Sequence, residues 1–141
     1  MKLSEEKIQE LIREASKMLM RSYIPYSHFA VGAALLCEDG RIYTGCNIEN
    51  AAFTPSNCAE RTAFFKAVSE GEMKFTAIAI IGGKNRKVTD FCAPCGVCRQ
   101  VMMEFCNPQT FQVITAKSQD EYRIDTLAQV LPDGFGPGNL S

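Results

Sequence analysis

Apolar positions near the start of the chain recur with a helical period. Ile8, Leu11, Ile12, Ala15, Met18 and Leu19 fall on one face of a helix over residues 4–22. Ser4 can cap it, Glu5 and Glu6 suit the positive end of its dipole, and Pro25 predicts its stop near Tyr23. From Phe29 the pattern becomes a dense run of Val, Ala and Leu to Cys37. Glu38-Asp39-Gly40 then supplies a turn and residues 41–46 return, so a β-hairpin is predicted. Residues 47–57 lack periodicity, contain Pro55 and read as a loop. A second helix is predicted over 58–70, with Gly71 as its stop. Residues 75–81 read as a strand closed by Gly82-Gly83, and 84–93 as a connection. Pro94 fits the first turn of a third helix that carries 95–105 and ends before Pro108. Residues 111–116 form another strand, Asp125 caps a short helix over 126–131, and the Gly- and Pro-rich tail over 132–138 is expected to be irregular.

This order is helix, two strands, helix, strand, helix, strand, helix. It predicts an α/β protein with a mixed sheet sandwiched by helices. The 141 residues suit a single domain over 1–141. With 15 basic and 16 acidic residues the formal net charge is -1, so the basic excess of a nucleic-acid binder is missing. No apolar run approaches membrane-spanning length and no signal pattern opens the chain. A cytoplasmic protein that partners neither nucleic acid nor membrane is therefore expected.

Seven cysteines alter that picture. In a reducing compartment, clustered cysteines point to metal or catalysis more often than to disulfides, and the odd number opposes a complete disulfide framework. Cys95 and Cys98 lie one helical turn apart at a predicted helix start, where the dipole favours the thiolate form that ligates metals. Taken alone, that pair also fits a redox couple or half a structural zinc site. Cys58 opens the other helix. Three thiolates leave one tetrahedral position for water, as in a catalytic zinc site, whereas a fourth protein ligand would make the site structural. Cys46, Cys92 and Cys106 are available for that alternative. Glu60 tips the balance. Two residues after Cys58, a carboxylate can exchange a proton with that water without being a ligand. Three thiolates overcompensate Zn²⁺, so charge must be drawn from the sulfurs by helix N-termini and by Arg61 acting as a hydrogen-bond donor to sulfur.

Cys58-Ala59-Glu60 and Pro94-Cys95-Gly96-Val97-Cys98 resemble the signature of the zinc deaminases of nucleobases, in its all-cysteine variant. His28, the one histidine, matches no ligand position. Residues 25–32, 45–51, 58–63, 94–100 and 131–137 extend the resemblance to the free-nucleoside cytidine deaminases over nearly the whole chain. The resemblance implies a three-layer α/β/α fold with a central mixed sheet of about five strands. It implies hydrolytic deamination of cytidine and deoxycytidine in pyrimidine salvage, one Zn²⁺ per subunit, and a homotetramer with sites at subunit junctions.

By position, Cys58, Cys95 and Cys98 resemble the zinc ligands and Glu60 the proton shuttle. Asn47 and Glu49 resemble the pair that binds ribose, Phe29 the aromatic on the pyrimidine, and Phe135 an aromatic reaching a neighbouring subunit's site. Ala59 and Cys95 resemble positions whose backbone groups bind the base. The chain departs from the pattern at Phe53, where tyrosine is common, and at Val97, where alanine is common. Cys92 and Cys106 match no family role and read as small buried hydrophobes. Three other readings remain beside this one: deamination of a different cytosine compound, a structural zinc module, and an iron–sulfur protein suggested by Cys92-x-x-Cys95-x-x-Cys98. The expected fourth cysteine of the last is displaced to Cys106.

Overall fold

A computed structural model describes residues 2–141. Helix α1 (Glu5–Lys17) is capped by Ser4, whose Oγ accepts from the Lys7 amide at 3.1 Å. It continues as a 3₁₀ turn, Met18–Met20, so the regular helix is shorter than the 4–22 pattern predicts. Leu19 still reaches the core through that turn. Strands β1 (Phe29–Cys37) and β2 (Ile42–Cys46) form the expected hairpin, with Gly40 at φ 94° in the turn. Then follow α2 (Ala59–Ser69), β3 (Phe75–Lys84), α3 (Gly96–Phe105), β4 (Gln112–Ala116), β5 (Tyr122–Thr126) and α4 (Leu127–Val130).

The sheet runs β2-β1-β3-β4-β5, with β3 and β4 parallel and the other neighbours antiparallel. Alternation along its strands builds two cores. Leu11, Ile12 and Ala15 of α1 pack over Ala30, Ala34, Ala79 and Ile114 on one face. Ala63 and Phe64 of α2, Met102 of α3 and Leu127 of α4 pack with Ala33, Leu35, Ile78, Ile80 and Val113 on the other. The result is the three-layer α/β/α arrangement with five strands.

Several boundaries differ from the expectations. Strand β5 replaces a segment that the hydrophobic pattern leaves unassigned. It is a partly exposed edge strand, Tyr-Arg-Ile-Asp-Thr, and is ordered by pairing with β4 rather than by its own apolar content. Asp125 lies within it. The cap of α4 is Thr126, whose hydroxyl accepts from the Gln129 amide while the Gln129 side chain accepts from the Thr126 amide. Strand β3 runs through Gly82 and Gly83 because β1 pairs with it as far as Lys84. A Cβ on Gly83 would meet the Lys87 carbonyl oxygen at 2.0 Å, so the glycine admits a close backbone return rather than ending the strand. Pro94 precedes the α3 N-cap, Cys95, instead of entering the first turn. The tail contains a 3₁₀ turn, Pro137–Asn139, closed by the Asn139 side chain accepting from the Gly136 amide at 2.8 Å.

Helix α2 ends as Gly71 predicts. With φ at 97°, Gly71 lets the Gly71 and Glu72 amides bond back to the Val68 and Ala67 carbonyls, both at 3.0 Å. At its other end α2 lies almost against β2. A Cβ on Gly45 would stand 2.3 Å from the Ala59 carbonyl oxygen and 2.6 Å from the Ala63 amide. Both neighbours are backbone, so neither can yield without moving the helix. Gly45→Val is expected to displace the first turn of α2, lowering metal retention and the melting temperature together. Zinc content after dialysis and thermal unfolding check this.

Candidate active site

The sheet brings the N-termini of α2 and α3 together. Cys58 is the N-cap of α2 and Cys95 that of α3, and neither side chain caps its own helix. Both thiols are therefore free to point away, while the partial positive charge of both helix starts bears on them. Cys98 follows in the first turn of α3 and is buried. The three sulfurs lie within 4.8 Å of one another, and Cys58 Sγ and Cys95 Sγ are 3.7 Å apart. A tetrahedral ion with Zn–S bonds of about 2.3 Å would space its sulfurs about 3.8 Å apart, so the Cys58–Cys95 spacing matches a zinc site and Cys98 lies close enough to complete its three-sulfur face. Among the described residues, neither Cys46, Cys92 nor Cys106 belongs to the cluster. The donor set is thus the three-thiolate one of the catalytic reading. Among the described residues no further Cys, His, Asp or Glu lies close enough to supply the fourth ligand of a structural zinc or iron–sulfur site.

Electrostatics within the cluster are asymmetric. Hydrogen bonding, led by that from Cys98 and including Arg61 and Cys95, holds the Cys58 thiol down at about 5 against the opposing effect of burial. The Cys98 thiol is pushed strongly upward, because it donates to Cys58 and is buried. Arg61 Nη2 donates to Cys58 Sγ at 3.3 Å. Its Nε is buried with no hydrogen-bond partner, so the guanidinium has thiolate sulfur as its counter-anion rather than a surface carboxylate.

Glu60 occupies the first turn of α2 and is only 4% exposed. Burial raises its carboxyl to about 7, against the lowering effect of its own backbone amide. A carboxyl there is poised to take up and release a proton near neutrality.

These opposed shifts give the metal-free protein a definite pH dependence. From about 4.5 to 7 the folded chain keeps the Glu60 proton that the unfolded chain has lost, so this group's contribution to stability falls as pH rises. From about 5 to 9 the folded chain has lost the Cys58 proton that the unfolded chain keeps, so that contribution rises. The two oppose between pH 5 and 7. Metal-free Glu60→Gln is expected to gain stability steadily across that window, where the parent changes little, as urea denaturation at a series of pH values would register.

The other expected site residues gather at the start of β1 and in the loop after β2. Phe29 opens β1 and is 39% exposed. The Asn47 side chain spans two β1 backbone groups, accepting from the Val31 amide at 2.9 Å and donating to the Phe29 carbonyl at 2.8 Å. Glu49 Oε1 accepts from the Tyr26 and Ser27 amides at 3.0 and 3.2 Å, and its Oε2 accepts from Ser27 Oγ. The Ser27 hydroxyl, its amide and the Tyr26 amide keep the Glu49 carboxyl below its ordinary value despite partial desolvation. A groove of about 450 Å³ opens here, lined by residues that include Tyr26, Ser27, Glu49 and Phe53. Phe53, one of the two departures, is 89% exposed beside it; Val97, the other, is 57% exposed. Ala59 is buried in the first turn of α2. Phe135 is 57% exposed and does not enter the core of its own chain, although Gln100 Nε2 holds its carbonyl at 2.8 Å.

Three supporting residues carry no role in the sequence reading. Thr62 Oγ1 donates to the Cys46 carbonyl at 2.9 Å, tying α2 to the start of the Asn47 loop. Arg99 donates from Nε to the Pro94 carbonyl at 2.7 Å and from Nη1 to the Val130 carbonyl at 2.5 Å, fixing the Cys95 turn against α4. Ser27 orients Glu49. All three lie inside or beside the quoted motifs, but their partners are distant in sequence and no local spacing announces them. Cys92 and Cys106 pack against the core as small hydrophobes, and burial raises both thiols, Cys92 to about 12.

A three-sulfur cage beside a buried acid–base carboxyl, carried on two helix N-termini over a mixed sheet, defines the class of zinc-dependent hydrolytic deaminases. The family model described as "Cytidine and deoxycytidylate deaminase zinc-binding region" matches residues 5–115, and the chain belongs to that family. It is 48% identical over 134 residues to a cytidine deaminase of Sporosarcina psychrophila, covering 95% of each chain. It is 46% identical to the cytidine deaminase of Halalkalibacterium halodurans, over 90% of this chain and 92% of the relative. Among solved structures, cytidine deaminase from Burkholderia pseudomallei superposes with a TM-score of 0.81 at 43% identity, covering 89% of this chain and 97% of that one.

Proposed function

We propose that this protein is a zinc-dependent cytidine deaminase, converting cytidine and deoxycytidine to uridine and deoxyuridine with release of ammonia. One observation carries the reading: a three-thiolate cage, with no fourth ligand among the described residues, stands beside a buried glutamate in the first turn of the helix that Cys58 opens. The family membership and the cytidine deaminases among its relatives support it.

Cys58, Cys95 and Cys98 hold the metal. When bound, zinc supplies Lewis-acid polarisation and lowers the pKa of water in its open position. Arg61 draws charge from Cys58, which keeps three thiolates from quenching that effect. Glu60 takes a proton from the attacking water and delivers it to N3 of the cytosine ring as C4 becomes tetrahedral. It then takes the proton of the new C4 hydroxyl and passes it to the amino group, so that the C4–N bond breaks, ammonia leaves and the C4 carbonyl of uridine forms. Burial, which disfavours the ionised carboxyl, suits Glu60 to giving a proton as well as taking one. Phe29 packs on the pyrimidine, backbone groups of Ala59 and Cys95 hold its polar edge, and Asn47 and Glu49 bind the sugar.

The proposed assembly is a homotetramer of single-domain chains, each spanning 1–141, with sites completed at subunit junctions. Phe53 and Phe135, 89% and 57% exposed in the single chain, are large aromatics available to a neighbouring subunit and support it. The proposed compartment is the cytoplasm and the substrate a free nucleoside rather than a polynucleotide. The seven unpaired cysteines support the reducing compartment and the net charge of -1 supports the free nucleoside; no described helix is long and apolar enough to cross a membrane. The nucleoside reading is tested by comparing cytidine with free cytosine. A kcat/KM at least about 100-fold higher for cytidine is expected if the sugar contacts are used, from two charge-assisted or amide hydrogen bonds. Equal rates would move the assignment to a free-base deaminase.

A further inference from the structure

The proposed sugar-binding carboxylate is held in place, and hydrogen-bond accounting shows how. A carboxylate offers about four acceptor positions, two on each oxygen. On Glu49, Oε1 has both of its positions taken, by the Tyr26 amide at 3.0 Å and the Ser27 amide at 3.2 Å. Oε2 has one taken, by Ser27 Oγ. One acceptor position is left, on Oε2. The Ser27 hydroxyl is itself fixed, since its oxygen also accepts from the Phe29 amide at 3.0 Å. One side chain therefore links the sugar carboxylate to the backbone of the residue that packs on the base. Backbone bonds knit the surrounding segments, with the Tyr23 amide on the Asn47 carbonyl at 3.0 Å and the Glu49 amide on the Tyr23 carbonyl at 2.9 Å. Those bonds fix the Glu49 main chain but leave its side-chain torsions free.

We infer that Ser27 is a positioning residue for substrate binding: its hydroxyl locks the Glu49 carboxylate so that a single acceptor position on Oε2 faces one sugar hydroxyl. The inference rests on the reading of Glu49 as a sugar contact. Asn47 complements it. One Nδ2 hydrogen goes to the Phe29 carbonyl, leaving the other to donate to the hydroxyl that Glu49 receives from. The sugar is thus read through one hydroxyl, which both donates and accepts.

The test compares kcat/KM for cytidine and for 2′,3′-dideoxycytidine, which has no ring hydroxyl to offer, in the zinc-loaded parent, Ser27→Ala, Ser27→Thr and Glu49→Ala. Ser27 is exposed in a turn, so its variants are expected to fold and to keep parental zinc content. Ser27→Ala is expected to lose about 10-fold on cytidine, the scale of a hydrogen bond to a charged group, chiefly through KM. On the dideoxy analogue it should change by less than about 2-fold, and Ser27→Thr, which keeps the hydroxyl, should recover most of the loss. Parental KM for cytidine in Ser27→Ala would overturn the inference. So would an equal loss on both substrates, which would mean that the residue acts on the loop as a whole or through Phe29. Glu49→Ala separates the two levels. If it loses on cytidine and not on the analogue while Ser27→Ala is unchanged, the sugar reading stands and the positioning role falls. If it loses nothing on cytidine, the underlying reading falls and the inference with it.

Discussion

Glu60→Gln is expected to lower kcat for cytidine by about 10²–10⁴-fold, the usual contribution of a positioned acid–base group. Zinc content should stay at the parental level. The residue is 4% exposed, and the amide nearly conserves its volume, so packing cannot account for the loss. Its side chain belongs to none of the sulfur contacts of the cluster, so the cage should keep its form. KM should change much less than kcat, because the proton transfers belong to the transition state. A variant with near-parental turnover would remove Glu60 from the mechanism.

Cys98→Ser should abolish both zinc retention and activity. Cys98 is buried beneath the cage and donates toward Cys58, so the change leaves two thiolates and a buried hydroxyl where zinc needs a third soft anion. Saturating zinc at a thousandfold excess over its Kd stabilises a folded chain by about 4 kcal/mol. For a chain of this size that raises the melting temperature by on the order of 10 °C. The parent is expected to show this rise on zinc addition and Cys98→Ser to show almost none. Arg61 tunes the same sulfurs without supplying a ligand, so Arg61→Gln should keep zinc and lose part of kcat.

The chemistry was legible in the sequence to an unusual depth because its parts are local. Cys58 and Glu60 share one helical turn, Cys95 and Cys98 another, and helix starts are marked by ordinary signals. The sequence places the start of α2 within a residue of the observed one and that of α3 within two, since Pro94 lies outside the first turn. Their meeting over the sheet came from resemblance, not from spacing, because nothing local states which helix ends adjoin. Strand β5 shows the limit most clearly. Tyr122 and Ile124 alternate with polar residues, yet the strand is an exposed edge whose order comes from pairing with β4, an interaction absent from its own composition. Gly82 and Gly83 misled in the opposite direction, since glycine signals a turn locally but here admits a close backbone return within a strand. Ser27, Thr62 and Arg99 escaped for a third reason. Each acts on a partner 16 to 31 residues away, and only tertiary structure reveals such a pairing.

The most direct test is cytidine turnover by the purified protein, followed by loss of the cytosine ultraviolet band, with zinc present and after its removal by a chelator. The account predicts rapid conversion to uridine with stoichiometric ammonia when zinc is loaded, loss of conversion when it is stripped, and recovery on adding zinc back. Absence of conversion in folded, zinc-loaded protein would contradict it.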